Sequence, residues 1–319
     1  MKSEAVTRSA QWGRAYFGLQ AIAGALWWIA VFVSSGVREA TLGSLDPVAV
    51  AVFDIPLFVV ASALAAFGFR FAAAISASWT GVVSLVLAVY ATATTEAGWG
   101  AVIMAAAAGG SVIALCLIML GRVPAERIVR GPFAFRPARS RAKSAKHVVS
   151  TFGQLIFFWG LFLVIIPGVL AAVEQRWAVG LSFPSFAGEV GVVLLVLASA
   201  LGIWSAVTMS TLGDGTPLPS ATANRLVIAG PYRWVRNPMA VAGIVQGAAI
   251  GLMLHSWLVV AYAVAGSLVW NYAVRPLEES DLQERFGVEF QKYRGTVSCW
   301  VPRLPGTRNS NTQDPIYGP

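Results

Sequence analysis

The sequence predicts an all-α, polytopic integral membrane protein, with about eight transmembrane helices and a C-terminal amphipathic helix. Three observations predict this. Charged residues make up 12 % of the 319 positions, about half the ~25 % usual in soluble domains. Mean hydropathy is +0.68. The apolar residues also fall into runs long enough to cross a hydrocarbon layer of roughly 30 Å, which takes ~20 helical residues. These features exclude a disordered chain and a soluble nucleic-acid binder. They equally exclude a chain whose apolar residues only fill one globular core.

Eight runs are legible, at about 15–36, 47–69, 71–92, 98–120, 150–173, 190–209, 238–254 and 257–274. The first follows Lys2, Arg8 and Arg14 with no small-residue cleavage site after it, the pattern of an uncleaved signal anchor. Runs seven and eight are separated only by His255 and Ser256 and form a tight helical hairpin. Runs two and three, split near Arg70, are almost as close. Asp54 lies inside the second run, two residues before Pro56. An acid there is costly and is either hydrogen-bonded to a neighbouring helix or functional; a structural role is the expectation. Small residues recur every four positions at Ala101, Ala105 and Gly109, and at Gly243, Gly247 and Gly251. That spacing lets helix backbones approach closely and is a packing signal.

The distribution of basic residues sets the expected orientation. With the N-terminus in the cytoplasm, the outer loops are about 37–46, 93–97, 174–189 and 255–256 and hold Arg38 and Arg176, leaving 21 of the 23 Lys and Arg inside. Both termini are therefore expected on the cytoplasmic side of the cell membrane. The formal charge of +8 thus records membrane orientation and no nucleic-acid partner. Its densest stretch, Arg122 to Lys146, has eight basic residues and one acid, Glu126. Such a stretch reads as positive-inside bias or as a contact for anionic lipid headgroups. The expected organisation is a four-span region at 1–120, a basic cytoplasmic linker at 121–147, a second core at 148–305 and a disordered polar tail at 306–319. Two cysteines, Cys116 and Cys299, and two histidines, His147 and His255, supply neither a disulfide framework nor a metal cluster.

Only two segments hold enough polar groups for chemistry: Ser210–Arg236 and Arg275–Tyr293. The hairpin of runs seven and eight brings them together at its open, cytoplasmic end. Gly213-Asp214-Gly215 lacks a third glycine and a preceding strand, so it is no dinucleotide fingerprint. Asn237-Pro238 suits the N-cap and first turn of the seventh span, and the same helix start beside Arg233 and Arg236 is a potential anion site. Glu278 and Glu279 are ordinary acids for a first helical turn, or ligands for a cationic or polyhydroxyl group. Leu282, Phe286, Phe290, Tyr293 and Val297 make one apolar stripe, with Gly287 as the candidate break, on a helix that lies along the membrane or caps the bundle. Two arginines, two glutamates and several aromatics without a serine–histidine pair fit binding of a zwitterionic cofactor better than hydrolysis.

At these residues the chain resembles the isoprenylcysteine carboxyl methyltransferase family and its relatives, the phospholipid N-methyltransferases. The residues that carry the resemblance are Leu226-Val227, Gly230, Tyr232 and Arg236-Asn237-Pro238, then, across the hairpin, Glu278-Glu279, Leu282, Phe286-Gly287, Phe290, Tyr293 and Pro302-Arg303. The resemblance covers about 150–305. It implies S-adenosylmethionine as cofactor at the cytoplasmic face and an amphipathic, lipophilic or lipidated acceptor arriving from the bilayer, with membrane lipids as surroundings. Carried over position by position, it places cofactor contacts at Gly230, Tyr232, Arg233, Arg236, Asn237, Pro238, Glu278, Glu279 and Tyr293. It gives catalytic roles to Arg236 and Glu279, with no metal. The pattern's tyrosine after Asn-Pro is Ala240 here, so its hydroxyl is missing. Methyl transfer from a sulfonium is an in-line displacement governed by positioning. No strong base stands near the motif, which favours a carboxylate or thiol acceptor. Two rival readings remain: an NADPH-dependent sterol- or steroid-type reductase, which Glu278 and Glu279 disfavour by repelling a phosphate, and a non-enzymatic scaffold or transporter, which would use the unmatched first half and Asp54.

Overall fold

A computed structural model describes residues 2–127, 153, 156–213 and 224–302. The basic stretch from 128 on, the loop 214–219, Arg303 and the tail at 306–319 lie outside the described residues. The described chain is helical without strands, as an all-α membrane protein requires: in lipid, backbone groups must be satisfied within the segment. Seven helices are long and apolar enough to cross a membrane. The remaining apolar run, the seventh, forms a helix of only 16 residues, Pro238–Met253. At 1.5 Å per residue it is about 24 Å long, shorter than the other seven.

The chain divides into two compact units. The first comprises Met1–Ala125 and Val169–Leu181. It contains α1 (Lys2–Val33), α2 (Ser35–Leu42), α3 (Pro47–Ala66), α4 (Arg70–Thr94) and α5 (Gly98–Leu120). Local chemistry sets the helix starts. The Asp46 carboxylate accepts from the Ala49 backbone N–H at 2.7 Å ahead of Pro47. The Ser34 hydroxyl accepts from Val37 in the same way. Within α3 the hydrogen-bond ladder widens to a π-helix at Ile55–Val60, where Pro56 lacks an N–H. Phe17 sits at the centre of an alanine-rich cluster, with Ala65, Ala73, Ala77, Ala114 and Ile118 around it.

Polar groups inside this unit are paired. Gln20 on α1 donates to Ser62 and Ser76 at 3.0 and 3.1 Å and accepts from Ser111 at 2.9 Å, tying four helices together. Asp54 accepts from the indoles of Trp28 at 2.9 Å and Trp79 at 2.8 Å, the neighbouring-helix bonds expected of it. At one end, Glu96 accepts from the Ser44 backbone and the Tyr90 hydroxyl, and these bonds hold its carboxyl below the usual range. Arg176 donates there to the carbonyls of Thr92 and Ala93. Three loops expected on the outer side therefore gather at one end of this unit. The small residues of α5 that approach a neighbour differ from the expected stripe. Ala101 is buried, but Ala105 and Gly109 are exposed. Gly98, Gly100 and Gly110 instead leave room for Trp177, Thr41 and Tyr16.

The second unit comprises Glu126–Gly168 and Ser182–Pro319. Its helices are the first part of α6 (Ile156–Arg176), α7 (Ala187–Leu212), α8 (Pro238–Met253), α9 (Trp257–Val269) and α10 (Arg275–Thr296). Helix α9 runs into α10 through a π-helical turn, Trp270–Val274. Gly191 lets α7 approach α8, since a Cβ there would stand 2.7 Å from the Ala249 carbonyl oxygen. Gly247 and Gly251 likewise admit Ala263 and Val260 of α9, while a Cβ at Gly243 would meet nothing within 4 Å, so two of the three positions of this stripe pack as the spacing predicts. Gln246, 2 % exposed, donates to Ser199 at 2.9 Å and pins α8 to α7. The α8–α9 turn closes at His255, against Phe183, with Ser256 capping α9.

Candidate functional site

The candidate site forms at the end of the second unit opposite His255, where α7 ends, α8 begins and α9 passes into α10. From Asn224 the chain returns towards α7. Gly230 adopts φ +55, and a Cβ there would lie 2.8 Å from the Thr208 hydroxyl and 3.3 Å from the Trp204 indole nitrogen. Both the backbone angle and the close approach call for glycine. A 3-10 turn, Gly230–Arg233, follows. It buries Tyr232 and leaves Arg233 exposed. Trp234 then packs edge-on against Trp204 at 5.5 Å. Val235 makes a single parallel bridge with Ser298, and the Arg236 N–H donates to the Ser298 carbonyl at 2.9 Å. This bridge fastens the segment after α10 across the approach to α8.

Asn237 and Pro238 occupy the N-cap and first position of α8, as the sequence suggests, but the Asn237 side chain does not cap the helix. Its amide donates instead to Glu278 at 3.0 Å, which leaves the first N–H groups of α8 without a side-chain cap. Arg236 donates to Glu279 at 2.9 Å and to the Arg294 carbonyl at 3.1 Å. The second oxygen of Glu279 lies 3.6 Å from Arg294 Nε. Consecutive residues before α8 thus pair with consecutive acids at the start of α10. The Tyr293 hydroxyl donates to the Tyr232 carbonyl at 2.6 Å. Burial pushes both phenols well above their usual range, so both stay neutral and buried as braces of the site.

The structure brings together Arg236, Asn237, Pro238, Glu278 and Glu279, with Tyr232 and Tyr293 behind them. Gly230 shapes the turn, and Arg233 stands away on the surface. Helix α10 breaks at Gly287 (φ +52, ψ −121), where the stripe suggested a break. Phe290 and Tyr293 are buried beyond the break, whereas Val297 lies past the end of the helix. Sequence reasoning missed the strap at 298–300, where Trp300 donates to Asn271 at 3.0 Å. It also missed Trp270, which gives no signal beyond being an aromatic residue at the end of a span.

Two electrostatic features define what this arrangement can do. Burial pushes the Glu278 carboxyl up to about 7; the bond from Asn237 lowers it, while Glu279 and Asp281 raise it further. This acid belongs to the polar helix after the apolar crossing, and it changes charge near neutral pH. The second feature is a set of buried donors without an acceptor: Arg236 Nε, Arg275 Nε and Trp270 Nε1. Leaving such groups unmatched costs ~1–3 kcal/mol each, more where charged, so each is a place where an acceptor would be stabilising. Arg275 and Glu279 share one face of α10, four residues apart.

Beside this region lies an apolar slot of about 250 Å³, lined by Phe162, Ala240, Gly243, Gly247, Gly266 and Trp270 among others. Ala240 stands where the resembling family carries tyrosine, so the smaller side chain leaves the slot open at that wall. Among the described residues no group of three or more His, Cys, Asp or Glu is placed to hold a metal ion.

Fold and site define a helical membrane protein with a polar, donor-rich site at the open end of a hairpin. Residues 186–289, from the start of α7 to just past the Gly287 break, match the model of a family described as phospholipid methyltransferase. That family includes isoprenylcysteine carboxyl methyltransferase-like proteins, and the matched segment is similar to its membrane methyltransferase domain. No match to a curated protein was found.

Proposed function

We propose that the chain transfers a methyl group from S-adenosylmethionine to a lipophilic or amphipathic acceptor that reaches the site from the bilayer, at the cytoplasmic face. The observation that carries this reading is the triplet of unmatched buried donors, Arg236 Nε, Arg275 Nε and Trp270 Nε1, beside two adjacent carboxylates. A zwitterionic aminoacyl group needs both kinds of partner. The donors fit its carboxylate, and Glu278 fits its ammonium or the ribose hydroxyls. Bound there, the cofactor supplies a methyl group on a sulfonium, which needs no metal or acid to activate it.

The chain's own residues then act by position. Glu279 grips Arg236 through one guanidinium nitrogen and leaves its Nε free, so Glu279 orients the donor. Asn237 holds one oxygen of Glu278 and leaves the other available. Gly230, with the Tyr232–Tyr293 brace behind it, fixes the turn that carries Arg236. The slot by Ala240 and Gly243 takes the apolar part of the acceptor. The general base missing from the sequence is met by Glu278, whose affinity for a proton near neutral pH suits it to relieve an amine acceptor of its proton. Amine acceptors thereby stand level with carboxylates and thiols.

Calorimetry on the purified full chain in detergent tests the reading. One saturable site for S-adenosylmethionine and no binding of NADPH is the expected result. NADPH binding with no response to S-adenosylmethionine would replace the proposal by the reductase reading.

A further inference from the structure

The first unit contains a cavity of about 660 Å³, well inside the range of small-molecule pockets, roughly 300–1,000 Å³. It lies among α1, α3, α4 and α5, and its walls are almost wholly apolar, with side chains such as Phe53, Phe58, Val83 and Leu87. One charged residue, Asp54, interrupts them, and the rings of Trp27 and Trp79 also line the space. Asp54 is 4 % exposed. Its partners are the indole N–H groups of Trp28 and Trp79, and among the described residues no Lys, Arg or His forms an ion pair with it. Carboxylates within spans normally pair with a cation. Two neutral donors leave about half of a carboxylate's lone-pair capacity unused.

The other polar residues of the cavity do not share this condition. Gln20 is fully engaged with Ser62, Ser76 and Ser111. Tyr16 donates to the Ala107 carbonyl and Trp27 to Thr41. Asp54 alone has acceptor capacity to offer. The hydrogen-bond ladder of α3 also widens to π immediately after it, a feature that often accompanies functional sites. A buried carboxylate with unused acceptor capacity attracts an organic cation by charge, and the aromatic rings elsewhere in the lining offer it further contacts. Apolar walls select a lipophilic body for that cation.

We propose that this cavity is a binding site for a lipophilic amine, whose protonated nitrogen meets Asp54 and whose apolar part fills the space among α1, α3, α4 and α5. The site is built from the first unit alone and does not depend on methyl transfer by the second.

Native mass spectrometry of the full chain released from non-ionic detergent tests this, with dodecylamine and dodecanol as probes of equal chain length. The expected result is one saturable dodecylamine adduct per chain, with dodecanol bound at least tenfold more weakly. Asp54→Asn is expected to weaken the amine at least tenfold. Val83→Trp, which keeps the carboxylate but fills the cavity, is expected to lose the adduct while melting at the wild-type temperature. Equal binding of amine and alcohol by the wild-type chain overturns the proposal, whether or not a variant folds. An undiminished amine adduct in folded Asp54→Asn or Val83→Trp overturns it as well.

Discussion

Arg236 is the residue on which most of the site converges. It pairs with Glu279, reaches the Arg294 carbonyl, and keeps a buried Nε with no acceptor. Lysine retains the charge but not the rigid planar fork that reaches Glu279 and the Arg294 carbonyl together. Arg236→Lys is therefore expected to fold and to bind S-adenosylmethionine about ten- to a hundredfold more weakly, as the loss of a charged hydrogen bond worth roughly 1.5–3 kcal/mol implies. Arg233→Lys, on the exposed turn, is expected to lose less. Wild-type affinity in the Arg236 variant would leave that residue as a headgroup anchor. Glu278 adds a pH dependence. Its carboxyl is raised to about 7, so it is largely protonated at pH 6 and ionised at pH 8. Only the ionised form attracts an ammonium, so cofactor affinity should rise about tenfold from pH 6 to pH 8, one pKa unit corresponding to ~1.36 kcal/mol. Calorimetry across that range should find the rise in the wild type and a flat profile in Glu278→Gln. The same rise in the variant would assign the titration elsewhere. The residue partners were not legible in the sequence. Asn237 reads as a helix cap from its position, yet its amide N–H donates to Glu278 on the adjoining helix and its oxygen caps nothing, a pairing that residue order alone does not reveal.

The elements were more legible than the contacts between them. Apolar run length placed the long helices but not α2, which fills most of the expected loop 37–46, and the two-residue break at His255 fixed the hairpin that brings Arg236-Asn237 to Glu278-Glu279. What composition could not show was how each helix ends or widens. The π-helical turns at Ile55–Val60, Gly160–Ile165 and Trp270–Val274 arise from local ladder shifts that leave no hydropathy signature. The strap at 298–300 depends on one backbone bridge with Val235, in a stretch with neither apolar period nor charge. Packing stripes were legible by half: Gly247 and Gly251 meet α9, whereas Ala105 and Gly109 are exposed, because a four-residue spacing marks a face without naming what covers it. Gly230 shows the element scale most directly, since its left-handed backbone sets the turn that aims Arg236. Gly230→Ala combines an unfavourable φ with a clash against Thr208, and strain of this kind costs ~1–3 kcal/mol. The variant is expected to melt lower and to bind cofactor more weakly. Adding Thr208→Ala should recover part of the stability by removing the clash while the backbone strain persists. Full tolerance of Gly230→Ala in a melting experiment would show that the turn does not constrain the site.

At the scale of the whole molecule, seven helices long and apolar enough to cross a membrane make this an integral membrane protein, and its second unit carries the segment, 186–289, that matches the phospholipid methyltransferase family. Its orientation rests on charge. Reversing the chain would carry 21 of its 23 Lys and Arg across the bilayer, against the positive-inside rule. Geometry within each unit agrees with alternating crossings. In the first, Ser44, Glu96 and Arg176 come together at one end. In the second, Phe183 meets His255 at one end, while Arg236 meets Glu279 at the other. The site therefore faces the cytoplasm if both termini do. Single cysteines in a background with Cys116 and Cys299 replaced by serine test this with a membrane-impermeant maleimide. Ser185, exposed before α7, and Val288, 78 % exposed after the α10 break, sit on opposite faces in this topology. Ser185→Cys should label in intact cells, and Val288→Cys only after permeabilisation. The reverse pattern would put the site and both termini outside, where a cytosolic cofactor does not reach them.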